Sequence, residues 1–161
     1  MKVHFSSKRD DWETPNDLFK ALDNEFHFKC DLAANSINAK VKTYIVKGSL
    51  DLNWSLLPGP LWLNPPYGRV IGKWVKKAYE ESQRGATVVC LLPARTDTKW
   101  FHDYVLKGEV RFLRGRVMFV GSKFHAPFPS LIVVFRGNQL VSVTASNRAG
   151  ARAEVLCESK K

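Results

Sequence analysis

The sequence predicts an α/β protein, a central sheet with helices on its faces, and three stretches carry that prediction. "ATVVCLLPA" (86–94) is a continuous apolar run of strand length with no polar side, as suits a strand covered on both faces. Ahead of it, Ile71, Trp74, Val75, Ala78 and Tyr79 recur at helical spacing, so 70–83 reads as an amphipathic helix stopped near Gly85. Ahead of that helix, "LWLN" (61–64) is a short apolar strand. Strand, helix, strand in this order argues for crossover connections in one sheet. A chain of 161 residues has room for one domain with a real core and not for a second.

The other elements follow in chain order. "ETPNDLFKALDNEF" reads as a helix with Thr14 as N-cap, Pro15 at the first helical position, Asp17 in the first turn, and Phe19, Leu22 and Phe26 near one face. "FHFKCDLAAN" reads as a strand ending at Asp31, and "TYIV" (43–46) as a second short strand. "TKWFHDYVL" (98–106) is helical, with Trp100, Phe101, Tyr104 and Val105 inward. "EVRFLRG" and "SLIVVFR" (130–136) close the sheet as strands, paired as a hairpin around an aromatic-rich loop. After Arg136 the pattern fades. Residues 1–137 are therefore assigned to the main folded unit and 138–161 to a polar C-terminal segment, a surface strip or tail.

Composition narrows the class of function. Hydrophobic residues make up 45% and charged residues 25%, as in ordinary soluble domains. No apolar run approaches the ~20 residues that a bilayer crossing needs, and charges fill the first residues where a signal peptide would be apolar. A cytoplasmic location is expected. Cys30, Cys90 and Cys157 are widely separated, as are His4, His27, His102 and His125, so neither a disulfide framework nor a metal site is expected. Lys and Arg number 25 against 15 Asp and Glu, a formal charge of +10, and a polyanion is the natural partner. "RFLRGRVMFVGSKF" (111–124) interleaves cations with aromatics and offers phosphate contacts and stacking surfaces together.

Ligands of such sheets bind beyond the C-terminal ends of the strands, and Asp31, Asp51 and Asn64 fall at or just after such ends. "LWLNPPYG" (61–68) is the most informative of these. Two prolines remove backbone donors and stiffen the exit from the strand, leaving carbonyls to accept. Asn64 adds a side-chain carbonyl and Tyr67 a flat ring. A fixed acceptor pair beside a stacking platform complements the exocyclic amino group of a nucleobase. The plainer reading of each residue is a loop, a cap or packing; the five tryptophans and His102 are read as structural.

With "WETPNDLF", "CDLAANSINAK", "LDLNW", "VVCLLPARTDTKWF" and "FLRGRVMF" in order around it, the segment from about Trp12 to Phe135 resembles the phage-type DNA N-6-adenine methyltransferase family, often called Dam. The resemblance implies a Rossmann-like fold with a mixed central sheet, S-adenosylmethionine as cofactor and DNA as partner in a host-cell cytoplasm. It implies that Asn64 and the Pro65 carbonyl, on the rigid Pro65-Pro66 turn, accept from the 6-amino group of a flipped adenine while Tyr67 stacks on the base. Phe119 or Phe124 would close the other face. Around the cofactor it implies Thr14 and Pro15 near the methionine end, Asp31 with Ala33 and Asn35 at the strand end, and Asp51 with Leu52 at the adenine. Arg95, Arg114, Arg116 and Lys123 would meet DNA.

Two departures stand out. "DLAAN" replaces the usual glycine-rich loop, so small alanines must admit the cofactor, and no Asp or Glu lies between residues 32 and 50 to hold its ribose. Asn35 or Asn38 would substitute. Two alternatives remain open: the same motif serving RNA or a glutamine side chain, and a DNA-binding relative without activity.

Overall fold

Runs that are apolar on both sides must be covered on both sides, and the two central strands obey this. A computed structural model describes residues 12–137 in full and the backbone alone of 141–146 and 152–157. Strands β2 (Leu61–Leu63) and β3 (Val88–Pro93) are buried at every position. With β1 (Cys30–Asp31), β4 (Glu109–Phe112) and β5 (Ser130–Phe135) they form a five-stranded sheet in the order β1-β2-β3-β5-β4. β1, β2 and β3 run parallel, whereas β5 is antiparallel to both β3 and β4. The sheet is mixed, and the predicted pairing of the last two strands is present.

Helices α1 (Asn16–Phe26), α2 (Ile71–Gln83) and α3 (Lys99–Asp103) carry the apolar spacings found in the sequence. Phe19, Leu22 and Phe26 are the buried residues of α1. Phe19 and Phe28 meet the buried Trp62 of β2 at ring separations of 5.5 and 5.4 Å. On α2 the buried positions include Ile71, Val75 and Ala78, and the helix packs on β3 and β5.

Several boundaries differ from expectation. The strand predicted to end at Asp31 is only two residues long. Lys29 donates to the Pro60 carbonyl at 2.9 Å, but Pro60 has no N–H to return, so the ladder cannot extend backwards. "TYIV" is reduced to a bridge between Tyr44 and Asp31, although Thr43 and Ile45 bond the Asp31 backbone on either side at 2.9 Å. α1 begins one residue late: Pro15 occupies the N-cap position and Thr14 does not cap. The third helix stops at Asp103 and gives way to a 3₁₀ turn, Val105–Lys107. Gly108 follows because a Cβ there would lie 2.6 Å from Val133 Cγ2 and 3.0 Å from the Phe135 ring.

Beyond Arg136, where the sequence reading expects no regular element, strands β6 (Val141–Ser146) and β7 (Arg152–Cys157) pair antiparallel. The alternation in "VSVTAS" is the signal that reading passes over. Residues 1–11, including His4, and the Cys157 side chain lie outside the described residues.

One buried charge ties the site's wall to this frame. Glu81 on α2 has a fully buried side chain that accepts from Lys77 Nζ and Arg84 Nη1 at 2.7 Å each and from the Ser55 backbone N–H at 3.0 Å. Ser55 belongs to a 3₁₀ turn, Trp54–Leu56, so the carboxylate fastens that turn to the helix.

Candidate active site

Register brings the predicted acids and amide together. Asp31 at the end of β1 pairs with Trp62 in β2, two residues before Asn64, so both strand ends open on one hollow. That hollow is a cavity of ≈ 680 Å³, within the range of sites that take nucleotide-sized ligands. Ile45, Leu50 and Trp74 supply apolar wall, and Asp31, Asp51 and Asn64 supply polar groups.

Asn64 is held from behind. Its Nδ2 donates to the Trp12 carbonyl and, at 3.0 Å, to Thr14 Oγ1. A backbone carbonyl only accepts, so this contact dictates which end of the amide faces it. The opposite end, Oδ1, is buried and has no hydrogen-bond partner among the described residues. A buried acceptor without a donor costs about 1–3 kcal/mol, and such a group at a cavity wall points to a ligand that brings an N–H. Pro65 is buried beside it and Pro66 is exposed.

Asp31 is buried at the strand end. Its Oδ1 accepts from the Ala33 N–H at 3.3 Å and its Oδ2 from the Lys40 N–H at 3.1 Å, which shapes the loop between them. Burial raises its pKa above the ordinary carboxylate value, partly offset by these two bonds and by the Lys40 charge. Lys40 itself is turned away, its Nζ bonded to Glu13 at 3.0 Å and to Asn16 at 2.8 Å. Asn35 and Asn38 line the cavity, but their side-chain oxygens serve their own turn: Asn35 Oδ1 accepts from Ile37 and Asn38, and Asn38 Oδ1 from Asn35.

Asp51 lies exposed at the rim, in the turn Ser49–Asp51 that left-handed Gly48 (φ 71°) initiates. Leu52 is not a lining residue; Leu50, two positions earlier, is. The buried Ser49, whose Oγ has no partner among the described residues, and Trp74 also line the wall. Sequence reasoning missed all three, because a serine in a polar turn and a tryptophan on a helix carry no ligand signal of their own.

Tyr67 departs most from its expected role. Only 2% exposed, it donates its hydroxyl to the Leu91 carbonyl at 3.1 Å, and its ring meets Phe119 and Phe128 edge-on at 6.1 and 5.7 Å. Burial raises the phenol well above its usual pKa. In this conformation the ring is a core member and presents no open face to a base. Phe119, 1% exposed, is packed on Trp12 at 5.0 Å, whereas Phe124 is 81% exposed. Of the two phenylalanines, only Phe124 is accessible.

The loop that carries Phe124 is basic on its surface and anchored beneath. Arg114, Arg116 and Lys123 are exposed. Val120 donates to the Glu13 carbonyl at 3.0 Å, Ala126 to the Val117 carbonyl at 2.8 Å, and His125 Nδ1 to the Arg116 carbonyl at 2.9 Å. Trp12, Lys123, Phe124 and Pro127 border a smaller hollow of ≈ 370 Å³. Arg95, after β3, is half-buried, and its carbonyl accepts from the Thr98 N–H and hydroxyl at the entry to α3. Among the described residues no three His, Cys, Asp or Glu side chains gather as a metal site requires, and no helix is long and apolar enough to cross a membrane. Cys30 and Cys90 are free thiols buried in the core.

The geometry joins an anchored acceptor at a strand end, a cavity with buried and rim carboxylates, and a basic aromatic loop. The sequence itself matches the family model of DNA N-6-adenine-methyltransferase (Dam) over residues 3–151. The chain belongs to that family. A protein of Escherichia phage T1 named DNA N-6-adenine-methyltransferase is 34% identical over 97 residues, 59% of this chain and 40% of its own length. A protein of the same name from Haemophilus phage HP1 (strain HP1c1) is 29% identical over 123 residues, 73% of this chain and 70% of its own. The chain thus spans less than half of the first relative. Within this Dam-family chain, Thr14, Asp31, Ala33, Asn35, Asp51, Asn64, Pro65 and Pro66 all line the one cavity, while Arg114, Arg116, Lys123 and Phe124 lie on the loop beside it.

Proposed function

We propose that this Dam-family protein is an adenine-specific DNA methyltransferase, with S-adenosylmethionine as methyl donor and a Rossmann-like methyltransferase fold around the cavity. The observation that carries the reading is the unpaired, buried Oδ1 of Asn64, with its amide turned by Trp12 so that the acceptor end is the one left over.

The cavity fits the donor. Its volume suits a nucleoside with a short side chain, Ile45, Leu50 and Trp74 offer apolar surface to a purine, and Asp31 and Asp51 offer carboxylates to an ammonium and an amino group. Ala33 and Ala34 take the place of the glycine-rich loop, and their short side chains leave the space open. When bound, S-adenosylmethionine supplies an electrophilic methyl group on a positively charged sulfur. The chain's own residues prepare the nucleophile. Asn64 Oδ1 and the Pro65 carbonyl accept the two amino hydrogens of an extruded adenine, which draws the nitrogen lone pair out of conjugation with the ring. Neither acceptor reorganises during the reaction, because the amide is clamped and the proline turn is stiff. Phe124 is the exposed aromatic that would meet the extruded base, and the exposed Arg114, Arg116 and Lys123 would meet backbone phosphates.

The test is transfer of labelled methyl from S-adenosylmethionine to unmodified duplex DNA, with RNA as a parallel acceptor and nucleoside analysis of the product. Label in N6-methyladenine of DNA supports the reading. Label in RNA alone, or salt-sensitive DNA binding without transfer, replaces it.

Two further results are expected. Because Asp31 must be ionised to meet an ammonium and its pKa is raised by burial, cofactor affinity should weaken as the pH falls through that raised value and level off above it. The folded protein holds this proton more tightly than the unfolded chain, so ionisation of Asp31 opposes folding above the raised pKa, and that opposition vanishes below the ordinary carboxylate value. Calorimetric titration across the acid range checks it, and Asp31→Asn should flatten the pH profile. On the loop, Arg116→Ala and Lys123→Ala should each weaken DNA binding at all sequences and reduce the salt slope by about 1, measured by anisotropy at several salt concentrations.

A further inference from the structure

We infer that Thr14 is a positioning residue for Asn64, acting on the methyl acceptor rather than on the cofactor; the inference rests on the methyltransferase reading above. The side-chain amide of Asn64 has two N–H donors, and both are engaged by one short segment: the Trp12 carbonyl takes one and Thr14 Oγ1 the other, at 3.0 Å. Thr14 is 2% exposed and does not cap α1, whose N-cap is Pro15, so its hydroxyl has no helix to serve. With a single N–H anchor the amide could pivot about the Trp12 contact. Two anchors fix both its tilt and its plane, and so the direction of the Oδ1 lone pairs, which is what an in-plane amino donor reads.

The same segment is supported from its other side. Phe119 packs on Trp12 at 5.0 Å and Val120 donates to the Glu13 carbonyl at 3.0 Å, so the clamp on Asn64 rests on the basic loop.

Thr14→Val keeps the shape and removes the hydroxyl; Thr14→Ser keeps the hydroxyl and removes a methyl. The decisive experiment combines steady-state transfer, calorimetric binding of S-adenosylmethionine, and NMR of the Asn64 side-chain amide, assigned by its disappearance in Asn64→Asp. Expected are a kcat 10- to 100-fold lower in Thr14→Val, cofactor Kd within about threefold of wild type, recovery to within a few-fold in Thr14→Ser, and Asn64 amide protons that exchange slowly in wild type and faster in Thr14→Val. An unchanged kcat in Thr14→Val, a loss confined to cofactor affinity, or fast amide exchange in wild type overturns the inference. The NMR readout needs no turnover. Absence of transfer by wild type would therefore defeat the functional reading, while slow exchange that depends on Thr14 would still support the clamp.

Discussion

Asn64→Ala is expected to lower kcat for methyl transfer by about 10²–10³-fold, with cofactor affinity little changed, because it deletes a clamped, unpaired acceptor on a residue that lines the cavity. The comparison that gives this result meaning is Asn64→Asp. A carboxylate has the right size and two acceptors, but it turns an oxygen toward the Trp12 carbonyl where the amide placed an N–H. Both variants should lose activity, and Asn64→Asp should also unfold at lower temperature, from repulsion between that oxygen and the carbonyl. A Dam-family chain that tolerated Asn64→Asp in kcat would show that charge, and not the geometry of an amide, is what the amino group meets. Single-turnover kinetics with duplex DNA separates the chemical step from product release.

Glu81→Ala should be the most damaging single change to the fold among the charged positions, at about 3 kcal/mol, the usual consequence of removing one partner from a buried ion pair. The carboxylate is wholly buried, and its loss leaves Lys77, largely buried itself, without a counter-charge and leaves the Ser55 N–H only the longer bond to Asn53 Oδ1 at 3.2 Å. For a chain of this size the melting temperature should fall by about 10 °C, read by circular dichroism. Burial pushes the Glu81 pKa up, but Lys77, the Ser55 N–H and Arg84 outweigh it and hold the group below its usual value. Its contribution is therefore complete above the unfolded pKa and is lost as the pH falls through the depressed folded one. Glu81→Gln should keep the Ser55 bond, lose part of the stability and weaken that acid dependence. The turn at stake carries Trp54, which stacks under the cavity residue Trp74 at 6.2 Å, so cofactor affinity should decline with it in Glu81→Ala.

The strongly patterned parts of the chain were legible because their pattern is the cause of their structure. Residues 71–83 form a helix and 88–93 a buried strand since no other arrangement hides those side chains together. Weakly patterned parts were not: the region 32–60 builds a cavity wall from turns, a bridge and two 3₁₀ segments held by Asp31 and Glu81, and those bonds reach across nine and 26 residues. Periodicity has no means of expressing such contacts. Tyr67 shows the same limit from the other direction. Its place in "NPPY" suggested an open platform, yet the Leu91 carbonyl and two phenylalanines from the loop after β4 draw it into the core.

By itself, then, the sequence determined the α/β class, the central strand-helix-strand unit, the basic character, and the identity of Asn64 and Asp31 as residues at strand ends, whereas Asp51, expected at one, lies in a 3₁₀ turn. Those come from local rules: spacing of apolar side chains, turn chemistry, and the polarity of the residues just after a buried run. The tertiary structure alone decided that Thr14 serves Asn64 rather than a helix cap, that Leu50 and Trp74 face the cavity while Leu52 does not, and that Phe124 and not Phe119 is exposed. Each of these depends on which distant segment packs against the residue, and an amide's orientation is fixed by the carbonyl it meets, 52 residues away in the chain.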